Sequence, residues 1–144
     1  VFRSTGQCDY EGCYRGLHVC IEAKEVREAR FNFRSKLKPE QYKRMAATCA
    51  AGGVAGVFVR HAPPNVKPVA YMLPFHGLRL MMKSGEKSVS MNNPVVRKPP
   101  YLLEWWRGDA VERIEEWLDN QVHESMMRML DGDEGEDDEA MEGD

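Results

Sequence analysis

Asp9, Glu22 and Lys24 are the residues whose types and spacing first suggest chemistry, in the order Asp-x12-Glu-x-Lys. Two carboxylates offer hard oxygen ligands to a cation such as Mg²⁺, and an ammonium beside them can stabilise charge developing on a phosphate. The spacing alone does not make a site, because a charged hairpin with a solvated face matches the same pattern. The backbone that carries them adds to the case. Leu17, Val19, Ile21 and Ala23 are apolar at period two, while His18, Cys20, Glu22 and Lys24 share the other face. Arg15-Gly16 supplies a tight turn, since Gly adopts positive φ freely. A β-hairpin over 7–24 is therefore expected, with Asp9 on its first strand and Glu22 and Lys24 on its second. Pairing of these strands would bring the two carboxylates within about 6 Å, close enough for one cation to bridge. The i, i+2 spacing sends Lys24 to the side of Glu22. His18 shares that face, but a lone strand histidine is more often structural or solvated.

The neighbouring letters narrow the choice. Ser4-Thr5, Asp9-Tyr10, Gly12, Tyr14-Arg15-Gly16 and Glu22-Ala23-Lys24-Glu25 resemble the RecU-type Holliday-junction resolvases of the PD-(D/E)xK nuclease superfamily. The resemblance continues through Gln41 and Met45, Gly52-Gly53, Tyr71 and Gly85-Glu86-Lys87-Ser88-Val89. It implies Asp9 and Glu22 as metal ligands, Lys24 and Gln41 as catalytic residues, and Mg²⁺ as cofactor with Mn²⁺ as a substitute. It also implies a four-way DNA junction as substrate, and a homodimer to cut the junction's two symmetric strands. Three positions depart from the family pattern. Glu40 and Arg44 stand where the family carries histidines around its Gln, and Glu86 replaces an Arg. The family further has an earlier Glu-bearing helix and the first half of a basic stalk, of which Phe2-Arg3 resembles the last residues. Neither precedes Val1 here, so the expectation is an N-terminally incomplete core that cuts DNA poorly as it stands. Two other functions fit the same residues: a non-catalytic DNA-binding module of this fold, and another PD-(D/E)xK nuclease acting on DNA ends or damage.

Charge is compatible with a nucleic-acid partner. Of 23 acidic residues, nine lie in 131–144, which has no Lys or Arg, so 20 basic residues face 14 acidic ones over 1–130. Arg27, Arg30, Arg34 and Lys36 interleave with Phe31 and Phe33, the two Phe being expected in the core and the cations at phosphate or in solvent. Arg15, Lys38 and Lys87 complete the candidate DNA-binding set. Cys8, Cys13, Cys20 and Cys49 show no zinc-type spacing and read as reduced thiols of an intracellular protein. No signal-peptide pattern or membrane-length apolar run occurs, so a cytoplasmic location is expected.

The positioning elements follow from local pattern. Pro39 suits a first helical position, Gly52-Gly53 suits a helix end, and Tyr42, Met45, Ala46, Cys49 and Ala50 fall on one stripe, which predicts a helix over 39–51. The run 54–59 predicts a central strand covered on both faces, and 69–73 a second strand stopped by Pro74. A short helix over 75–83 places Leu78, Met81 and Met82 in the core. These elements point to an α/β fold, a mixed central β-sheet flanked by helices with the hairpin at its heart, and the resemblance implies a restriction-endonuclease-like core. The nuclease core spans 1–92. A C-terminal helical extension occupies 93–130, its helix starting after Asp109 with Val111, Ile114, Trp117, Leu118 and Val122 as the apolar stripe. That helix either caps the core or packs on a partner chain. Residues 131–144 form an acidic tail expected to be disordered, whose removal should leave DNA affinity unchanged or raised.

Overall fold

The computed structural model describes residues 8–98, 101–103 and 110–131. Its elements run β1 (Tyr10–Tyr14), β2 (Leu17–Val26), β3 (Arg30–Asn32), α1 (Phe33–Lys36), α2 (Pro39–Ala50), β4 (Val54–His61), β5 (Val69–Pro74), α3 (Phe75–Lys83), β6 (Ser88–Ser90), β7 (Leu102–Leu103) and α4 (Ala110–Asp131). The stalk segment, Trp105-Trp106, Asp109 and the tail from 132 onward lie outside the described residues. Asp131 itself is the last residue of α4 rather than the first of the tail.

The main sheet has the order β1-β2-β4-β5-β7. Strand β2 pairs antiparallel with β1 and parallel with β4, so the sheet is mixed as expected. The hairpin is not at its heart, however. Strand β4, the most continuously apolar run, takes the centre because it can be buried on both faces, while β1 (with Gly12 and exposed Tyr10 and Cys13) forms an edge. The hairpin turn forms at Arg15-Gly16, with φ of 50° and 82°; positive φ at both central residues is the two-residue connection whose twist matches paired strands.

Each face of the sheet has its own cover. Cys20 on β2, Ala55, Val57 and Val59 on β4, and Tyr71 and Leu73 on β5 pack with Tyr42 and Met45 of α2 and Phe75 and Leu78 of α3. Val19, Ile21, Val54, Ala70, Met72 and Leu103 pack on the opposite face with Trp117 and Leu118 of α4. The helix α4 thus caps the core, which resolves the alternative left open by its apolar stripe. A Cβ on Gly56 would lie 2.8 Å from the Trp117 ring and 2.8 Å from the Leu73 carbonyl, so only glycine lets the indole reach the central strand. On α2, Ala50 is exposed and Thr48 is buried in its place, its hydroxyl satisfied by donating to the Arg44 carbonyl at 3.0 Å.

After Lys24, β3 pairs antiparallel with β6 in a small second sheet, and Phe31 and Phe33 are fully buried, as expected for the pair. The cysteines differ from the expectation. Cys8 and Cys20 are joined as a disulfide, not as reduced thiols, with Cα atoms 5.8 Å apart; Cys13 and Cys49 are not disulfide-bonded. The β1–β2 ladder begins at Tyr10↔Ile21, and a bend at Asp9 turns Cys8 out of that register onto the face of Cys20. Both cysteines join the same buried cluster there. Linear spacing gives no sign of this, because the bend decides it.

Candidate active site

Strand β2 carries Glu22 and Lys24 to the sheet face covered by α2, and the first turn of α2 brings Gln41 onto them. Gln41 Nε2 donates to Glu22 Oε1 at 3.3 Å, and Lys24 Nζ donates to Gln41 Oε1 at 3.2 Å. The same Oε1 accepts from the main-chain N–H of Lys38 at 3.0 Å. That last bond is one half of a capping box, so the start of the helix sets the orientation of Gln41. The glutamine is therefore a bridge between the carboxylate and the ammonium, not a solvated surface residue. Asp9, at the bend before β1, accepts from the Ala23 N–H at 2.8 Å through Oδ2.

Glu22 is 1% exposed. Burial pushes its carboxyl up to about 7, and the charge and hydrogen bond of the adjacent Asp9 push in the same direction, against weaker opposing pulls from Lys24 and Arg44. Asp9 thus lies close enough to act on Glu22. Among the described residues no donor reaches Glu22 Oε2, which is buried. A buried carboxylate oxygen without a donor beside a second carboxylate needs either a proton or a cation. The residues present therefore fit a hard divalent ion: the carboxylate of Glu22 on β2 and that of Asp9, which the bend before β1 carries rather than the expected strand, with Asp9, Lys24 and Gln41 half-buried.

The raised carboxyl has a consequence for stability. Glu22 holds its proton more tightly in the folded protein than in the unfolded chain, so the metal-free fold loses stability as pH rises from about 4.5 through 7. The slope is at most about 1.4 kcal/mol per pH unit, reduced where solvent reaches the Asp9 side. The melting temperature of metal-free protein is expected to fall between pH 5 and 8. Glu22→Gln should flatten that fall, and Mg²⁺ at pH 8 should reverse it by binding only the folded state. Thermal melts with and without Mg²⁺ across this range check all three.

A family model described as Recombination protein U, RecU, matches residues 1–104, from ahead of β1 through β7. The chain belongs to the RecU family. Membership implies a Holliday-junction resolvase, a nuclease of DNA recombination. No curated protein matches the chain. The RecU match ends before α4, the helix that covers the second sheet face.

The candidate DNA-binding residues divide into two groups. Arg27, Lys36, Lys38 and Lys87 are exposed, and Arg34 is half-buried. Arg30 is exposed with Nε donating to Ser88 Oγ at 2.9 Å, so β3–β6 pairing joins the stretch 27–38 to Lys87-Ser88 from far along the chain. Lys38 caps the helix that carries Gln41, next to the site. Arg15 is placed elsewhere. Its Nε and the Tyr14 hydroxyl both donate to Asp119 Oδ1, at 2.9 and 3.0 Å, tying the hairpin turn to α4.

Sequence reasoning passed over Arg44 and the disulfide. Arg44 lies one turn beyond Gln41 on α2, is half-buried, and its charge acts on Glu22. The i, i+3 spacing from Gln41 was the available signal. Glu40, which like Arg44 stands where the family carries a histidine, is exposed and is not among the groups acting on Glu22.

Proposed function

We propose that this chain hydrolyses phosphodiester bonds in branched DNA, four-way junctions above all, using Mg²⁺ or Mn²⁺ held by Asp9 and Glu22. The observation that carries the proposal is the buried Glu22 Oε2, which has no donor among the described residues, against Asp9, with Lys24 and Gln41 arranged beside it. When bound, the cation supplies a Lewis acid that offsets phosphate charge and eases deprotonation of an attacking water. Asp9 and Glu22 give the site the negative charge that draws the cation in. Lys24 places a positive charge where the phosphoryl oxygens gain charge in the transition state. Gln41 holds Lys24 and Glu22 at fixed separation, and its bond to the helix start keeps that geometry ready before substrate arrives. The exposed cations of 27–38 and Lys87 give the phosphate backbone a basic face beside the site. A homodimer would present two such sites to the two symmetric strands of a junction.

The test compares a four-way junction, linear duplex and DNA ends as substrates in Mg²⁺ and Mn²⁺, with binding followed across salt concentrations. Junction cleavage that requires Glu22 and Lys24 supports the proposal. Binding without Glu22-dependent cleavage would identify a DNA-binding module, and cleavage confined to ends would identify a different nuclease. Phosphate contacts by the basic face predict that affinity falls about 10³-fold or more between 50 and 200 mM salt if six or more cations engage. Replacing Arg27, Arg30 and Lys87 together by Gln should make that slope shallower by about three.

A further inference from the structure

Beside the carboxylate pair lies a second set of ligand atoms with different chemistry. Cys8 is 2% exposed, Cys20 fully buried and Glu22 1% exposed. The two Sγ atoms and one carboxylate oxygen of Glu22 all lie within 4.8 Å of one another. Cys8 immediately precedes Asp9, and Cys20 stands two residues before Glu22 on the same face of β2, so the sulfurs adjoin the carboxylate pair directly.

We propose that reduction of the Cys8–Cys20 disulfide converts this cluster into a site for a thiophilic divalent cation of the zinc class, bound by the two thiolates and Glu22. The geometry favours it. Tetrahedral zinc, with about 2.3 Å to sulfur and 2.0–2.2 Å to oxygen, needs ligand atoms about 3.5–3.8 Å apart. Contraction of the sulfur–oxygen distances by no more than about 1–1.3 Å from the present 4.8 Å limit meets that requirement once the sulfurs separate. Thiolates select zinc-class ions over Mg²⁺, which prefers oxygen and keeps its waters. The fourth position falls toward Asp9 or water on the half-buried side of the site.

The redox step balances with a dithiol as reductant. One of its thiolates attacks a Cys Sγ and opens the disulfide, and its second thiol then closes on the first and leaves as a cyclic disulfide. Two electrons and two protons pass to Cys8 and Cys20, and the incoming ion displaces the protons. The ion and Mg²⁺ both require Glu22, so the two sites exclude one another. That consequence for cleavage rests on the hydrolytic function; the binding itself does not.

The test uses the full chain, reduced with excess dithiol, freed of it without air, and titrated with Co²⁺ as a spectroscopic stand-in for zinc. One Co²⁺ per chain should produce sulfur-to-metal charge-transfer absorption with the strong visible bands of a tetrahedral site, and Zn²⁺ should remove both. A Cys13→Ser/Cys49→Ser variant should keep the signal, Cys8→Ser or Cys20→Ser should abolish it, and Glu22→Gln should weaken affinity about tenfold or more. Unmutated protein provides a second reading that needs no variant to fold: Zn²⁺ should slow alkylation of reduced Cys8 and Cys20, but not of Cys13, as read by peptide mass spectrometry. Absence of the charge-transfer band, its persistence in the Cys8→Ser/Cys20→Ser protein, equal alkylation with and without Zn²⁺, or a disulfide that stays closed under excess dithiol would each overturn the proposal. All of these readouts are blind to DNA cleavage, so inactivity of the nuclease site would not be mistaken for absence of the thiolate site.

Discussion

Glu22→Gln is expected to lower divalent-ion-dependent junction cleavage by about a thousandfold or more, the scale of losing a preorganised electrostatic group from a reaction centre. The substitution keeps the shape of the side chain and can still accept from Gln41 Nε2, so the packing of α2 on β2 should survive. What it removes is the charge that a cation requires. The same change should raise the stability of the metal-free protein above pH 7, because it deletes a buried carboxylate whose ionisation is opposed by burial and by Asp9. A more stable, inactive protein is the signature of a functional charge; a less stable, inactive one would point to structure alone. Gln41→Ala should cost less, about 10–100-fold, because it only loosens the groups that touch substrate. Steady-state cleavage at saturating Mg²⁺, alongside thermal melts and direct Mg²⁺ titration, separates these outcomes.

Trp117→Ala is expected to destabilise the fold by about 3–5 kcal/mol, a loss that can exceed half of what a domain of this size holds in reserve. The indole is fully buried against the central strand, where Gly56 leaves it room, and it lies on the sheet face opposite the Asp9–Glu22 pair. The melting temperature should fall by about 10 °C or more. Mg²⁺ affinity of the protein that remains folded should change little, since Trp117 packs on the opposite face of the sheet. Denaturant unfolding combined with metal titration below the new transition checks both halves. A small stability loss would mean that α4 does not cap the sheet.

The difference between these two residues shows where legibility stopped. Local pattern was sufficient for the elements that hold the site. Alternation of apolar residues over 17–23, the turn at Arg15-Gly16, Pro39 before an amphipathic run and Gly52-Gly53 after it each act over a few residues, so each could be read without knowing the fold. The hairpin, α2, β4, β5 and α3 appear where these signals put them. Period two likewise fixed Glu22 and Lys24 on one face, and the resemblance carried by Asp9, Glu22, Lys24 and Gln41 led to the RecU family.

Tertiary structure alone decided what depends on which element lies beside which. The position of the hairpin at an edge follows from β4 outcompeting it for the doubly covered centre. Pairing of β3 with β6 joined Arg30 to Ser88 across 58 residues, and packing of α4 on the far face diverted Arg15 to Asp119. The closeness of Asp9 to Glu22, an Oε2 without a donor among the described residues and the carboxyl raised to about 7 all depend on packing and burial, which no spacing encodes. The same is true of the sulfurs. Cys8 and Cys20 stand twelve positions apart, and only a bend at Asp9, closing a paired strand back over its neighbour, turned two scattered cysteines into a disulfide beside the carboxylates.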